Sequence, residues 1–155
     1  LVRSRIVIMK KLFILLFSMF VLSSPSVFAQ EDLSKINIDN LKRLSSSEII
    51  NTFSNTSSMG YYSKDIYGID DYKFITYVYA SGDLDMNAGL FTASGKWKVY
   101  DNQFCSKATK VSVGIPEKMF ICSLVYTDFN EGEYYWFLPG LGLYAKTTAV
   151  MPLID

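Results

Sequence analysis

The residues of this 155-residue chain best suited to chemistry are its two cysteines, Cys105 and Cys122. A zinc site needs three or four Cys, His or acidic ligands, and a catalytic cysteine needs a nearby base, usually histidine. The chain contains no histidine. If the two cysteine-bearing strands pair in antiparallel fashion, the Cβ atoms lie roughly 4.5–5.5 Å apart, which approaches disulfide reach. We therefore predict a structural disulfide.

One stretch of alternating polar residues resembles a calcium-binding loop. Asp83, Asp85 and Asn87 stand at the alternating ligand positions of such a loop. Ala88 occupies the position that needs glycine, and Ser94 the position that needs a bidentate glutamate. The same alternation is typical of an amphipathic edge strand, so we expect no metal site.

Two pairs of neighbouring carboxylates have a spacing compatible with acid–base catalysis. They are Asp70 with Asp71 and Glu131 with Glu133, and both pairs fall in predicted turns, where solvated carboxylates are common. The sequence has no histidine, no metal-binding motif and no nucleophilic serine motif beside them. We expect no enzyme activity, no catalytic residue and no cofactor.

The N-terminal region has the pattern of a targeting segment. Residues 9–29 begin with a basic pair, continue with an apolar run and end in small residues, which predicts a signal peptide cleaved between Ala29 and Gln30. Residues 1–8 are interpreted as an upstream over-extension of the reading frame. The apolar run is shorter than the roughly 20 residues that a membrane-spanning helix needs. We expect a periplasmic or secreted protein without stable membrane insertion after cleavage.

From Gln30 onward the chain is mildly acidic. It holds all 15 acidic residues but only 11 of the 15 basic ones, which leaves a net charge of −4. Without a basic cluster it offers no surface for nucleic acid, and we expect no such partner. Residues 30–43 form a predicted polar lead-in, and residues 44–155 a single β-rich domain.

Downstream of residue 60, polar and apolar residues alternate with a period of two. This pattern predicts about seven antiparallel strands separated by turn residues. In the first of them, Phe74, Thr76 and Val78 share one face. The predicted fold is mainly β, either an antiparallel sandwich or a small calycin-like barrel, with one short N-terminal helix.

The short helix is predicted from its capping pattern. Ser45 and Glu48 have the spacing of a capping box, and Ile49, Ile50 and Phe53 form the predicted buried stripe.

The hairpin that leads to the first cysteine admits two registers. A two-residue turn pairs Cys105 with Lys98, whereas a three-residue loop pairs it with Val99. We favour the three-residue loop, because it places the sulfur on the apolar face.

The stretch "GKWKVYDNQFC" combines a Gly-x-Trp strand, a short turn and a strand ending in cysteine, with a second cysteine downstream. With this pattern the chain resembles a family of small exported proteobacterial proteins that is catalogued only as a domain of unknown function. Gly95, Trp97, Cys105 and Cys122 match the pattern, and the resemblance implies no activity. The Gly-x-Trp is also similar to that of lipocalins and other calycin barrels, which carry small apolar ligands. Alternatively, the tryptophan closes one end of a β-core.

Tyrosine is the compositional excess, with 11 residues. Neighbouring aromatics in a strand point to opposite faces, so some must be exposed or line a cavity. The candidate binding residues are Tyr77, Tyr79, Tyr135 and Trp136. We expect a non-catalytic domain that binds an unknown protein or glycan through an aromatic sheet face. The alternative is a calycin-like carrier of a small apolar ligand; a third class, an outer-membrane barrel, is disfavoured by the short strands.

Overall fold

The structure, a computed structural model, describes residues 32–63, 72–89, 91–114 and 117–154. The predicted signal peptide (9–29), its cleavage site at Ala29 and Gln30, and residues 1–8 lie outside these ranges. The acid pair Asp70 and Asp71 lies outside them as well. Among the described residues, no helix combines the length and apolar character needed to cross a membrane.

Eight antiparallel strands form a closed barrel, in which each strand pairs with its neighbour in sequence and the last strand pairs with the first. They are β2 (Thr56–Tyr62), β3 (Lys73–Val78), β4 (Asp83–Asn87), β5 (Thr92–Tyr100), β6 (Gln103–Val111), β7 (Ile121–Asp128), β8 (Glu133–Leu138) and β9 (Gly142–Pro152). A short strand β1 (Lys42–Arg43) adds to β7 outside the circle. The predicted mainly β fold is confirmed, and of its two forms the structure has the small calycin-like barrel.

Two of these strands, β1 and β2, lie outside the seven that the sequence predicts. β2 turns Thr56, Ser58 and Gly60 towards the interior, and small polar residues at inward positions weaken the apolar period of two. β2 nevertheless closes the barrel, because it pairs with both β3 and β9. A strand that the sequence pattern does not predict therefore closes the barrel.

The single α-helix, α1 (Ser46–Phe53), packs against one end of the barrel, where Ile49 and Phe53 are completely buried. The predicted capping box is confirmed: the backbone N–H of Ser45 donates to the Glu48 carboxylate at 2.8 Å, and Ser45 Oγ accepts from the Glu48 N–H at 3.4 Å. Ile50, predicted to be buried, is exposed. Ile49 and Phe53 are four residues apart and therefore share one face of the helix. Ile50 follows Ile49 directly, so its side chain points about 100° away from that face.

The polar lead-in is part of the folded unit. It forms two 3-10 turns, Leu33–Lys35 and Ile38–Asn40. The backbone N–H of the second residue of each turn donates to the side chain of the residue before the turn, Asp32 or Asn37. Leu33 is buried, and its turn packs against β9.

The register preferred for the β5–β6 hairpin is wrong. A two-residue turn at Asp101 and Asn102 joins the strands and pairs Lys98 with Cys105. Both turn residues have positive φ angles, 51° and 55°. Such a turn follows the right-handed twist of paired strands, and Asp and Asn tolerate the left-handed conformation that it requires.

The predicted disulfide is confirmed. Cys105 and Cys122 are direct partners across β6 and β7, and their sulfurs are bonded at 2.04 Å. The sulfur of Cys105 is buried although its register differs from the prediction. A disulfide persists in oxidising compartments, so it indicates a location outside the reducing cytoplasm.

The Gly-x-Trp stretch has a structural explanation. A Cβ on Gly95 would lie 2.0 Å from the Lys107 carbonyl oxygen, at a point where the β5–β6 register shifts. Two residues on, Trp97 stacks on Phe104, with ring centroids 5.4 Å apart, and its indole N–H donates to the Tyr79 carbonyl at 2.7 Å. The glycine permits the close approach of two strands, and the tryptophan packs at the helix-capped end of the barrel.

Candidate ligand-binding cavity

A cavity of about 60 Å³ lies inside the barrel, where two clusters of apolar side chains meet. The first cluster contributes Phe53, Val78, Leu84, Phe104 and Trp136 from the helix-capped end, and the second contributes Tyr62, Phe74, Met86, Tyr144 and Ala145. A single buried water needs roughly 10–15 Å³, so the cavity has room for roughly four to six waters or for one molecule of similar size.

Four hydroxyl side chains line the cavity from two sides. Ser58 and Thr76 are cross-strand partners on β2 and β3, while Ser106 and Ser123 lie on β6 and β7. In a closed barrel of eight strands, strands four positions apart stand on opposite walls. β2 and β3 are each four positions from β6 and β7 respectively. The hydroxyl groups therefore form two facing sets, with the apolar clusters above and below them.

A fifth hydroxyl comes from Tyr144 on β9. Its oxygen lies 2.9 Å from Ser123 Oγ, and either group can be the donor of this hydrogen bond. Tyr144 sits where the β8–β9 register shifts, so its side chain reaches the interior beside Ala145. Backbone irregularity thus supplies a polar group that strict alternation along β9 would turn outward.

Among the described residues, the side chains that line the cavity carry no charge. A serine becomes a nucleophile only when a base removes its proton. The partner of Ser123 is the neutral phenol of Tyr144, which is not such a base. The cavity can therefore exchange hydrogen bonds with a guest, and its lining does not supply the groups for nucleophilic catalysis.

A second polar cluster is buried on the outer face of the barrel. The Lys146 amine donates to the Glu133 carboxylate at 2.5 Å, and their side chains are only 6% and 19% exposed. The Tyr135 hydroxyl donates to the same carboxylate at 3.0 Å, and the lysine nitrogen lies 5.1 Å from the Tyr135 ring centroid. We refer to Glu131, Glu133, Tyr135 and Lys146 as the charged cluster.

The pKa directions in this cluster follow from its contacts. Burial raises the pKa of Glu133, but hydrogen bonds from Lys146, Glu131 and Tyr135 outweigh it and hold the pKa below its ordinary value. The hydrogen bond between the two carboxyl groups raises the pKa of Glu131. Burial raises the pKa of Tyr135 to about 12. The cluster therefore holds a paired lysine and glutamate near neutral pH, an arrangement that serves the structure.

The structure does not bring the four candidate aromatics together. Tyr77 lies on the outer face of β3 and is 36% exposed. Tyr79 lies just beyond that strand, and its hydroxyl donates to Asp85 at 3.3 Å. Tyr135 is buried in the charged cluster, and Trp136 points into the cavity, where its indole N–H donates to Thr147 at 2.9 Å.

The residues that resembled a calcium loop form strand β4, which is paired on both sides and is not an edge strand. The Asp83 carboxylate accepts from Lys96 at 2.5 Å, and Asp85 accepts from Tyr79. In the described part of the chain, no three Cys, Asp or Glu side chains are grouped so that they could hold a metal ion.

The cavity hydroxyls were missed in the sequence analysis, although a signal for them exists. Thr76 interrupts the apolar face of Phe74 and Val78, the face on which alternation places it, while Ser106 follows Phe104 and Ser123 precedes Val125 on their own faces. A single polar residue on an apolar face is usually interpreted as a buried polar residue of the core without a binding role. Only the closed barrel shows that these hydroxyl side chains line one cavity.

Comparison with protein-family models, with curated proteins and with solved structures finds no match to this chain. The resemblance carried by Gly95, Trp97, Cys105 and Cys122 stays a prediction. The function proposed for this protein therefore rests on the cavity and on the side chains that line it.

Proposed function

We propose that this protein is an exported, non-catalytic barrel that binds a small, mainly apolar molecule in its interior. The observation that supports the proposal is the uncharged cavity of about 60 Å³, with apolar clusters at its ends and hydroxyl groups on facing walls. Concave sites with apolar walls and a few polar groups are typical of small-molecule binding. This function is the carrier alternative drawn from the sequence, and the closed barrel favours it.

The proposed location is the periplasm or the exterior of the cell. The predicted signal peptide and the disulfide both support an oxidising compartment. The mild net negative charge of residues 30–155 disfavours nucleic acid as a partner.

The proposal can be tested through the two tryptophan indoles, whose N–H groups give separate NMR signals. Trp136 lines the cavity, whereas Trp97 donates to the Tyr79 carbonyl and is not part of the lining. A set of uncharged compounds of up to about six non-hydrogen atoms is titrated into labelled protein. We expect some of them to shift the Trp136 signal, with a smaller effect on Trp97.

A matched pair of variants assigns the response to the cavity. Ser106→Leu fills the cavity and should abolish the Trp136 shift, whereas Ser94→Leu places the same side chain on the outer face of β5 and should preserve it. The carrier proposal is wrong if no compound shifts Trp136, or if Ser106→Leu responds like the unmodified protein.

A second candidate is glycan binding on the outer face of β3, in line with the interaction module favoured from the sequence. Its support is Tyr77, which is exposed, available for stacking, and the cross-strand partner of Asp85. On a glycan array this candidate requires a bound sugar whose signal is lost in Tyr77→Ser and kept in Ser106→Leu. No bound sugar, or a signal that is kept in Tyr77→Ser, contradicts this second candidate.

A further inference from the structure

We propose that the cavity selects an uncharged ligand of about four to six non-hydrogen atoms that carries a carbonyl, amide or hydroxyl group, and that it rejects carboxylate anions. This inference rests on the proposed interior binding function and specifies the chemical class of its ligand. It separates this barrel from carriers whose guests are fatty acids or other organic anions.

Rejection of anions follows from the lining. The described side chains around the cavity present aromatic rings, aliphatic groups and hydroxyls, with no Lys or Arg to pair with a negative charge. A carboxylate that leaves water for such a site keeps only neutral hydrogen-bond donors, and the transfer of an unpaired ion into apolar surroundings is strongly unfavourable. The buried lysine of the barrel, Lys146, is already bonded to Glu133 outside the cavity.

The two facing sets of hydroxyls are the reason that we expect the ligand to carry a polar group. Ser58 and Thr76 on one wall, and Ser106 and Ser123 on the other, can each donate and accept a hydrogen bond. A hydrocarbon guest offers these hydroxyls no hydrogen bond, whereas a carbonyl or amide can bond to Ser58, Thr76 or Ser106 in addition to the bond that already joins Ser123 to Tyr144. The apolar clusters at the two ends then cover the rest of the guest.

The size limit follows from the volume. About 60 Å³ corresponds to roughly four to six buried waters, and a guest that replaces them has about the same number of non-hydrogen atoms. Long-chain lipids exceed this space unless Phe53 and the helix that carries it withdraw from the barrel end.

The test uses three molecules of nearly identical shape, each with six non-hydrogen atoms: 3-methyl-2-butanone, isobutyramide and isobutyrate. Each is titrated at pH 7 into the full disulfide-bonded protein, and the Trp136 indole signal gives the apparent Kd. We expect the ketone and the amide to bind. Isobutyrate should bind at least roughly 100-fold more weakly, because only its small protonated fraction can enter.

The hydroxyl walls are tested with serine variants that keep the fold. Ser106→Ala should weaken binding of the ketone and of the amide by roughly fivefold, the value of one neutral hydrogen bond. Ser94→Ala, on the outer face of β5, should leave both affinities unchanged.

The possible results separate the two proposals. Binding of isobutyrate as tightly as the ketone, or equal affinities in Ser106→Ala and the unmodified protein, overturns the inference about ligand class and leaves interior binding standing. If none of the three molecules moves the Trp136 signal while another compound of the uncharged set does, the inference about ligand class is overturned and interior binding stands. If no compound of that set moves the signal, interior binding itself is overturned, and the inference falls with it.

Discussion

The barrel buries polar side chains in two places, and the two places differ in charge and in free space. On the outer face, the Glu133 carboxylate is bonded to both Lys146 and Tyr135, and the lysine side chain is buried. Inside, hydroxyl groups on facing walls border a cavity of about 60 Å³. The polar groups of the first region are closed off by their own ion pair and hydrogen bonds, whereas those of the second border free space, where a guest can add hydrogen bonds.

This difference separates a structural polar site from a binding site. Removing either Lys146 or Glu133 leaves the other charge buried and unpaired, so the fold depends on both members of this ion pair. Removing one hydroxyl from a cavity that already admits small molecules affects the fold little and affects binding more. The comparison therefore predicts opposite responses in stability and in ligand affinity.

The largest effect is expected for Lys146→Met. The variant leaves the Glu133 carboxylate buried without its cation, which should lower the free energy of unfolding by about 3–5 kcal/mol in chemical denaturation. Lys96→Met is the matched control: its ion pair with Asp83 is about half exposed, and the change should stay below about 1 kcal/mol. Equal effects of the two variants would contradict a special structural role for the buried ion pair.

A companion variant sharpens this result. Lys146→Met combined with Glu133→Leu removes both charges, so most of the lost stability should return. If the double variant is as unstable as the single one, the lysine stabilises the barrel through packing and not through its charge.

The next largest effect is expected for loss of the disulfide. Cys105 and Cys122 join β6 to β7, the wall that carries Ser106 and Ser123. Replacing both cysteines with alanine should lower the free energy of unfolding by about 3 kcal/mol on the chain-entropy argument, seen as a lower Tm. Reductant should lower the Tm of the unmodified protein and leave the double variant unchanged; no effect in either would refute a structural bond.

Low pH should lower the free energy of unfolding through protonation of Glu133. This effect should be smaller than that of Lys146→Met or of the loss of the disulfide. The folded-state pKa of this group lies below its ordinary value of 4.5, so its contribution to stability is present above that pH and is lost as the pH falls through the folded pKa. Glu131 has the opposite sign, since its raised pKa favours the folded state at low pH. Denaturation between about pH 5 and pH 3 should show a steeper fall in the unmodified protein than in Lys146→Met with Glu133→Leu.

The smallest effect on stability is expected inside the cavity. Thr76→Val keeps the shape of the side chain and removes a hydroxyl that borders free space, so the free energy of unfolding should change by less than about 1 kcal/mol. Thr147→Val is the control, because Thr147 is completely buried and accepts from the Trp136 indole. That change should cost about 1–3 kcal/mol. Similar losses from both threonines would show that Thr76 has a structural partner of its own.

Local patterns in the chain predict its local structure well. The alternation of residues identifies the strands that carry Phe74, Trp97 and Trp136, and the spacing of Ser45 and Glu48 identifies the helix start. Two cysteines without a histidine predict the disulfide. These features depend on residues close together in sequence or on simple chemistry, so no knowledge of distant contacts is needed.

The cavity depends on contacts that no local pattern contains. Alternation assigns residues to two faces of a strand, but it does not say which face a closed surface encloses. Closure brings β2 beside β9 from the far end of the domain, which turns Ser58 inward and places it across the barrel from Ser106. It also buries Tyr135 on the outside and Trp136 on the inside, although the two are adjacent in the chain. Composition and periodicity determine that this chain forms a disulfide-linked β-domain, whereas the long-range pairing that closes the barrel decides which of its polar and aromatic residues meet a ligand.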